Sequence, residues 1–372
     1  MSGARPRLRT EVLSVGASSV QSDIEIEIKG VWKIFGDRAE EALANIREHG
    51  ISKQQVLEDY DCGIGVANVD LEIKRGEIFC VMGLSGSGKS TLVRHINRLL
   101  EPTTGEIRVS GRDILALSPK ELRSFRNEHI AMVFQNFSLM PHRSVLDNIA
   151  MPLEIGRSVA RNDRMEIAER ILSMVQLTGW GNKYAHELSG GMQQRVGLAR
   201  AIASDTEILL MDEPFSALDP LIRRQLQSEF MQLVTSMSKT TVFITHDLDE
   251  AIRLGDRVAI MQDGRIVQIG TPEDIVMKPA DDYVAEFVAG ISRLKVVRAQ
   301  TVMRPIETYE QEIGPLGEDL PSFGADESLT VLMQSIIDRD VPIIIVDDSG
   351  ERIGVITHSD LLKTIIEGAE TS

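Results

Sequence analysis

Positions 83–91 read Gly83-Leu84-Ser85-Gly86-Ser87-Gly88-Lys89-Ser90-Thr91, a spacing of glycines, lysine and hydroxyl that matches the phosphate-binding loop pattern. Such glycines let the backbone wrap an anion, so that successive N–H groups and a helix N-terminus face it. In that frame Lys89 reaches the terminal phosphates and the Ser90 hydroxyl can bind Mg²⁺. A loop of this kind needs a carboxylate partner. The run Ile208-Leu209-Leu210-Met211-Asp212 supplies one, because an apolar strand drives Asp212 to its carboxyl end, where it can hold the Mg²⁺ shell. Glu213 follows directly and, at the mouth of a parallel strand, can polarise an attacking water as a general base. A second Ser/Gly-rich helix start, Leu188-Ser189-Gly190-Gly191-Met192-Gln193-Gln194-Arg195, offers further free N–H groups to an anion. Since the chain already has one phosphate cradle, this spare helix end suits a nucleotide held by a second subunit. Read alone it is equally an ordinary N-capped helix.

The elements around these residues alternate between strand and helix. IEIEI (24–28) and VDLEI (69–73) show the period of two expected of half-exposed strands, while EIFCVM, IAMVF, ILLM and TVFIT are unbroken apolar runs suited to a buried parallel sheet. Helical periods fall at 90–100, 144–155 and 221–237, and Ser118-Pro119-Lys120-Glu121 carries the marks of a capped helix start. RVAIMQDGRIVQIG predicts a hairpin turned on Asp263-Gly264. The fold class is therefore α/β and nucleotide-binding, with antiparallel additions.

Composition sets outer limits. A chain of 372 residues, 42% hydrophobic and 26% charged, is expected to form two or three ordinary globular domains. Two cysteines, Cys62 and Cys80, are too few for a disulfide framework and fit a reducing compartment. The net charge of −16 repels phosphodiester backbones and anionic lipid, so nucleic-acid binding is disfavoured and work at a membrane would depend on another protein. Residues 304–372 hold 15 acidic and 4 basic side chains, which marks off a separate C-terminal module. Residues 305–328, rich in Pro, Gly and acid, read as a linker. The basic N-terminus, 1–23, lacks the apolar stretch of a secretion signal and reads as a disordered tail.

Taken together the motifs resemble the ABC-type ATPases: LSGGMQQR stands between the phosphate loop and ILLMDEP, and four further features fall in the family's order. Gln135 in FQNF looks like the glutamine that senses Mg²⁺ and the transport partner. Ser216-Ala217-Leu218-Asp219 looks like the D-loop, His246 in ITHD like the switch histidine, and Phe35 in KIFG like the aromatic that stacks on adenine. The resemblance implies a P-loop NTPase fold with a helical subdomain at about 136–204, inside an ATPase domain at 24–290. It also implies a head-to-tail homodimer with ATP and Mg²⁺ sandwiched between subunits. Lys89, Gln135, Glu213 and His246 would be catalytic, with Ser90, Gln135 and Asp212 on the metal. Gly83, Ser85, Gly86, Ser87, Gly88, Thr91 and Phe35 would hold ATP in one chain, and Ser189, Gly190, Gly191, Gln194 and Asp219 would complete the site.

The insert at 37–66, with MGLSGSGKSTLVRHINRLLEPT, NFSLMPHRSVLDN and MDEPFSALDPLIRRQLQ, is similar to the ATP-binding subunits of glycine betaine/proline-type importers. That likeness implies quaternary amines as cargo, transmembrane permease subunits as partners, a substrate-binding protein acting indirectly, and a peripheral place on the cytoplasmic face of the bacterial inner membrane. A soluble ABC ATPase outside transport is the alternative. Phe137, Leu139, Met140, Pro141 and Leu146 either meet the permease or finish the subdomain's own core. Residues 296–372 resemble a CBS module, opening on TVMRP at 301–305. The module serves either as a site for an adenine-containing ligand or as a dimerising appendage.

Overall fold

The computed structural model describes residues 23–135, 137–156, 159–216, 220–317, 320–339, 341–347 and 349–369. The expected N-terminal tail lies almost wholly outside them, as do Asp219 of the D-loop and Asp348 of the tail's turn.

Six strands form the central sheet in the order Arg265–Gly270, Arg257–Gln262, Ile78–Met82, Thr240–Thr245, Ile208–Asp212, Ile130–Val133. All neighbours are parallel except the terminal hairpin. Every residue of Ile78–Met82, Ile208–Asp212 and Thr240–Thr245 is buried, as a sheet covered on both faces requires. Successive side chains of one strand feed different cores. Phe79 and Val81 pack with Leu92, Val93 and Ile96 of the phosphate-loop helix, whereas Cys80 and Met82 pack with Phe215 and Phe230. Both cysteines are buried and unbridged. The hairpin turns on Asp263 (φ +49°) and Gly264 (φ +83°), the paired positive values of a type I′ turn.

A second, antiparallel sheet joins Gly63–Lys74, Ile24–Phe35, Thr104–Val109 and Arg112–Asp113. The helices Ala39–His49 and Lys53–Tyr60 are inserted between its first two strands, over a small core of Trp32, Ile34, Leu43, Val56 and Cys62. The helical part of the insert ends earlier than expected, because residues 63–66 already pair with the first strand. A helical layer, Val145–Gly156, Arg161–Met174 and Gly190–Ala203, has its own core around Ile149, Leu172, Val196 and Ala199. The helix Pro119–His129 carries the expected capping box between Ser118 and Glu121.

The C-terminal part is a three-stranded sheet, Ser322–Gly324 parallel to Ile343–Val346 and that strand antiparallel to Arg352–Ile356, covered by helices Leu329–Arg339 and His358–Ala369. The stretch read as a linker is only partly one. It holds the helix Ile306–Glu312 and the strand Ser322–Gly324, since Tyr309 buries its ring against Ile344 and Val355. Hydrophobic side chains from Met277 and Leu294 join the core of this part, and Arg298 N donates to Glu273 Oε1 at 3.1 Å.

Candidate functional site

Three carboxyl ends of the parallel sheet converge. Met82 leads into the phosphate loop, Asp212 into Glu213, and Thr245 into His246, the rim where open α/β sheets bind ligands. The loop itself is held tightly. Gly88 has φ +103°, and a Cβ placed on it would stand 2.2 Å from the Gly65 carbonyl oxygen; only glycine fits that backbone. Lys89 opens the helix Lys89–Ile96 and is 5% exposed, its ammonium donating to the carbonyls of Gly83 (2.8 Å) and Leu84 (2.9 Å) inside the loop's arch. Burial pushes the Lys89 pKa down, and the nearby Glu213 and Asp212 oppose that shift. A cation placed here gains strongly from an added phosphate charge.

Ser90 Oγ donates to Asp212 Oδ1 at 2.7 Å, and Arg94 Nη2 lies 3.1 Å from Asp212 Oδ2. Beyond Asp212, Glu213 sits at φ +46°, a conformation that costs a non-glycine residue about 1–3 kcal/mol and that active sites tolerate when the surroundings fix it. The fixing bonds are Glu213 N to Ile244 O at 3.2 Å and Ser216 Oγ to Glu213 O at 3.0 Å. Its carboxylate then meets both remaining residues: Gln135 Nε2 and His246 Nδ1 each lie 3.4 Å from Glu213 Oε2. The structure thus gathers Lys89, Ser90, Asp212, Glu213, Gln135 and His246 at one rim.

Phe35, at the end of its strand, is 44% exposed, and Lys33 Nζ lies 5.2 Å from its ring centroid. A Cβ on Gly65 would stand 2.5 Å from its ring and 3.3 Å from Thr91 Cγ2, so the ring lies over Gly65 beside the phosphate loop. Ser189 caps the helix Gly190–Ala203 by accepting from Met192 N at 3.3 Å. Ser189 and Gly190 are exposed, and a Cβ on Gly190 would meet nothing within 4 Å, so this helix end faces outward. Gln194 does not share that face. It is 3% exposed, turned into the chain's own interior, which corrects its expected place on a nucleotide.

The apolar group after Gln135 also divides. Phe137 and Leu146 are buried in the chain itself, and Arg200 pins the loop by donating to the Phe137 and Ser138 carbonyls at 2.7 Å. What remains open next to it is a groove of about 310 Å³ lined by Met132, Met140, Met151, Pro152 and Ile155.

Sequence reasoning missed two supports. Arg94 lies four positions after Ser90, on the same helix face, and that spacing was the available signal. Glu250, 6% exposed, accepts from Thr245 Oγ1 at 2.5 Å and from the Gln227 amide, bracing the strand end that carries His246; no local pattern announces it.

The residues fit ATP with Mg²⁺. A Cβ at Gly88 would strike the Gly65 carbonyl, so close packing fixes the curve of the loop, and Ser87 Oγ within it is buried without a partner among the described residues. Ser90 Oγ and Asp212 Oδ1, 2.7 Å apart, are the hydroxyl and carboxylate oxygens that would hold Mg²⁺, a cation that takes oxygen ligands.

The ABC transporter family model matches residues 66–216. The chain is 46% identical to the glycine betaine/proline betaine transport system ATP-binding protein ProV of Salmonella typhimurium, over 93% of this chain and 84% of that protein. It is 48% identical to the glycine betaine transport ATP-binding protein OpuAA of Bacillus subtilis, over 79% of this chain and 70% of the relative. Among solved structures, a dimeric ATP-binding cassette in a post-hydrolysis state, bound to ADP and phosphate, is 31% identical with a TM-score of 0.57, covering 66% of this chain and 98% of that one.

Proposed function

The chain belongs to the ATP-binding subunits of ABC transporters, and on that premise we propose that it is the ATP-hydrolysing, energy-coupling subunit of an importer for quaternary amines such as glycine betaine, proline betaine or choline. Two copies work beneath a membrane permease. Lys89 and the loop amides hold the triphosphate, and Ser90, Asp212 and Gln135 hold Mg²⁺, which when bound offsets charge developing on the phosphates. Glu213 takes the proton of the attacking water, while His246 and Gln135 orient its carboxylate. Ser189 and the amides of Gly190 and Gly191 complete the site of the opposite subunit.

The observation that favours transport over a free-standing ATPase is the apolar groove next to Gln135. Gln135 touches Glu213, and the loop it opens ends at Met140 on the groove wall, so a permease helix seated there would feel the state of the nucleotide. Among the described residues no helix is long and apolar enough to cross a membrane, which fits a peripheral subunit on the cytoplasmic face. The test is co-purification and uptake. Ile155→Glu with Met151→Glu is expected to lose the permease and labelled glycine betaine uptake while the chain still binds ATP. Full uptake by that variant would contradict the docking site.

We read the C-terminal part, whose elements run strand-helix-strand-strand-helix, as a CBS-like regulatory module. An adenine-containing ligand on it is tested by nucleotide titration of Lys89→Ala, in which the catalytic site is disabled. Saturable binding that remains, and that is lost when residues 296–372 are removed, supports such a site.

A further inference from the structure

A cavity of about 350 Å³ lies between the core of the parallel sheet and the core of the helical layer. Met211, Phe215 and Phe230 line it from the first core, Val175 from the second, and Leu198 packs against both. Three glutamines line it: Gln176 and Gln232 are exposed, and Gln194 is the buried one. Gln194 lines the cavity, is 3% exposed, and among the described residues neither its Oε1 nor its Nε2 has a hydrogen-bond partner. A buried donor and acceptor left unpaired carry a free-energy cost that a ligand able to pair with both recovers. The two charged residues on the wall, Arg195 and Glu229, are already engaged: Arg195 Nη1 lies 3.0 Å from Glu229 Oε2 and donates to the Val175 carbonyl at 3.0 Å. With its charges spent, the cavity disfavours an ion.

We propose that this cavity is a binding site for a small, uncharged molecule with an apolar body and one amide-like donor–acceptor pair, read by both amide atoms of Gln194. The volume lies at the lower end of small-molecule pockets, about 300–1,000 Å³, and has no room for a peptide helix. The position gives an occupant leverage. Phe215 stands two residues after Glu213, and Gln194 lies on the helix that Ser189 caps. One molecule therefore touches both the strand end that carries the catalytic base and the helix that presents the outward phosphate site.

The test uses the full chain with ¹³C-methyl methionine, titrated with acetanilide, a probe of about ten heavy atoms whose affinity is expected to be millimolar. Met174 and Met211 line the cavity, whereas Met303 and Met333 pack in the C-terminal core. Saturable shifts of the first pair without the second are expected. Gln194→Leu is expected to weaken acetanilide about tenfold while leaving ethylbenzene, which has no amide, bound as in the parent. Leu198→Trp, which fills the space from another wall, is expected to abolish both. Absence of saturable shifts at Met174 and Met211 up to about 10 mM probe, equal shifts in the C-terminal methionines, or unchanged acetanilide affinity in Gln194→Leu would overturn the site. Binding is read without ATP or permease, so its failure leaves the transport reading standing.

Discussion

Oε2 of Glu213 lies 3.4 Å from Nδ1 of His246. The same oxygen is 3.4 Å from the Gln135 amide nitrogen, so one carboxylate atom is addressed from two different strand ends. That arrangement fixes the orientation of the carboxylate we propose as general base without adding a second negative charge beside it. Glu213→Gln is expected to lower ATP turnover at least about a hundredfold, the range a positioned base supplies, with ATP still bound. Phosphate release and retained nucleotide after gel filtration read the two halves; turnover near the parent's would remove Glu213 from that role.

The backbone at Gly88 permits a substitution whose outcome is set by geometry alone. With φ at +103° and the Gly65 carbonyl 2.2 Å from the added carbon, Gly88→Ala must displace either the loop or the neighbouring strand. A loss of about 1–3 kcal/mol in stability and a clear fall in ATP affinity are expected, checked by thermal unfolding with and without nucleotide. An unaltered unfolding temperature together with parental ATP affinity would mean that the loop is not packed as described.

Burial pushes the Glu250 carboxyl above its ordinary value, with the Thr245 hydroxyl opposing the shift. The folded state then holds this proton more tightly than the unfolded chain, so Glu250 contributes most to stability below the unfolded glutamate value of about 4.3 and loses that contribution as pH rises through its folded value. Glu250→Gln, which cannot ionise, is expected to gain stability relative to the parent between pH 4 and pH 8. Urea unfolding of both proteins across that range measures it. A constant difference would show that Glu250 ionises in the fold as freely as in the open chain.

That the residues of the candidate site would meet at one sheet rim was legible because the logic is local. A glycine spacing ahead of Lys89 and an apolar run ending in Asp212 are patterns a few residues long, and the strands and helices that carry them follow from the same periodicities. The fate of Gln194 was not legible, since its motif places it beside Ser189 while its burial is decided by Phe215 and Phe230, far along the chain. Glu250 escaped for the same reason: its partners Gln227 and Thr245 meet it only through the packing of two helices on one strand. The misjudged linker shows the converse. Its prolines, glycines and acids signal a loop, and one tyrosine, Tyr309, found a pocket and ordered a helix around itself.

The central claim is that each ATP is held by the phosphate loop of one subunit and the Ser189 helix end of another. Mixed dimers test it most directly, in a Glu213→Gln background where ATP is retained. Lys89→Ala alone and Ser189→Arg alone are each expected to retain little nucleotide. Mixing the two proteins restores one intact composite site per mixed dimer, so retention is expected to recover to about one quarter of the parent's sites if pairing is random. If the mixture retains no more ATP than the two variants kept apart, the sites are complete within single chains and the account is contradicted.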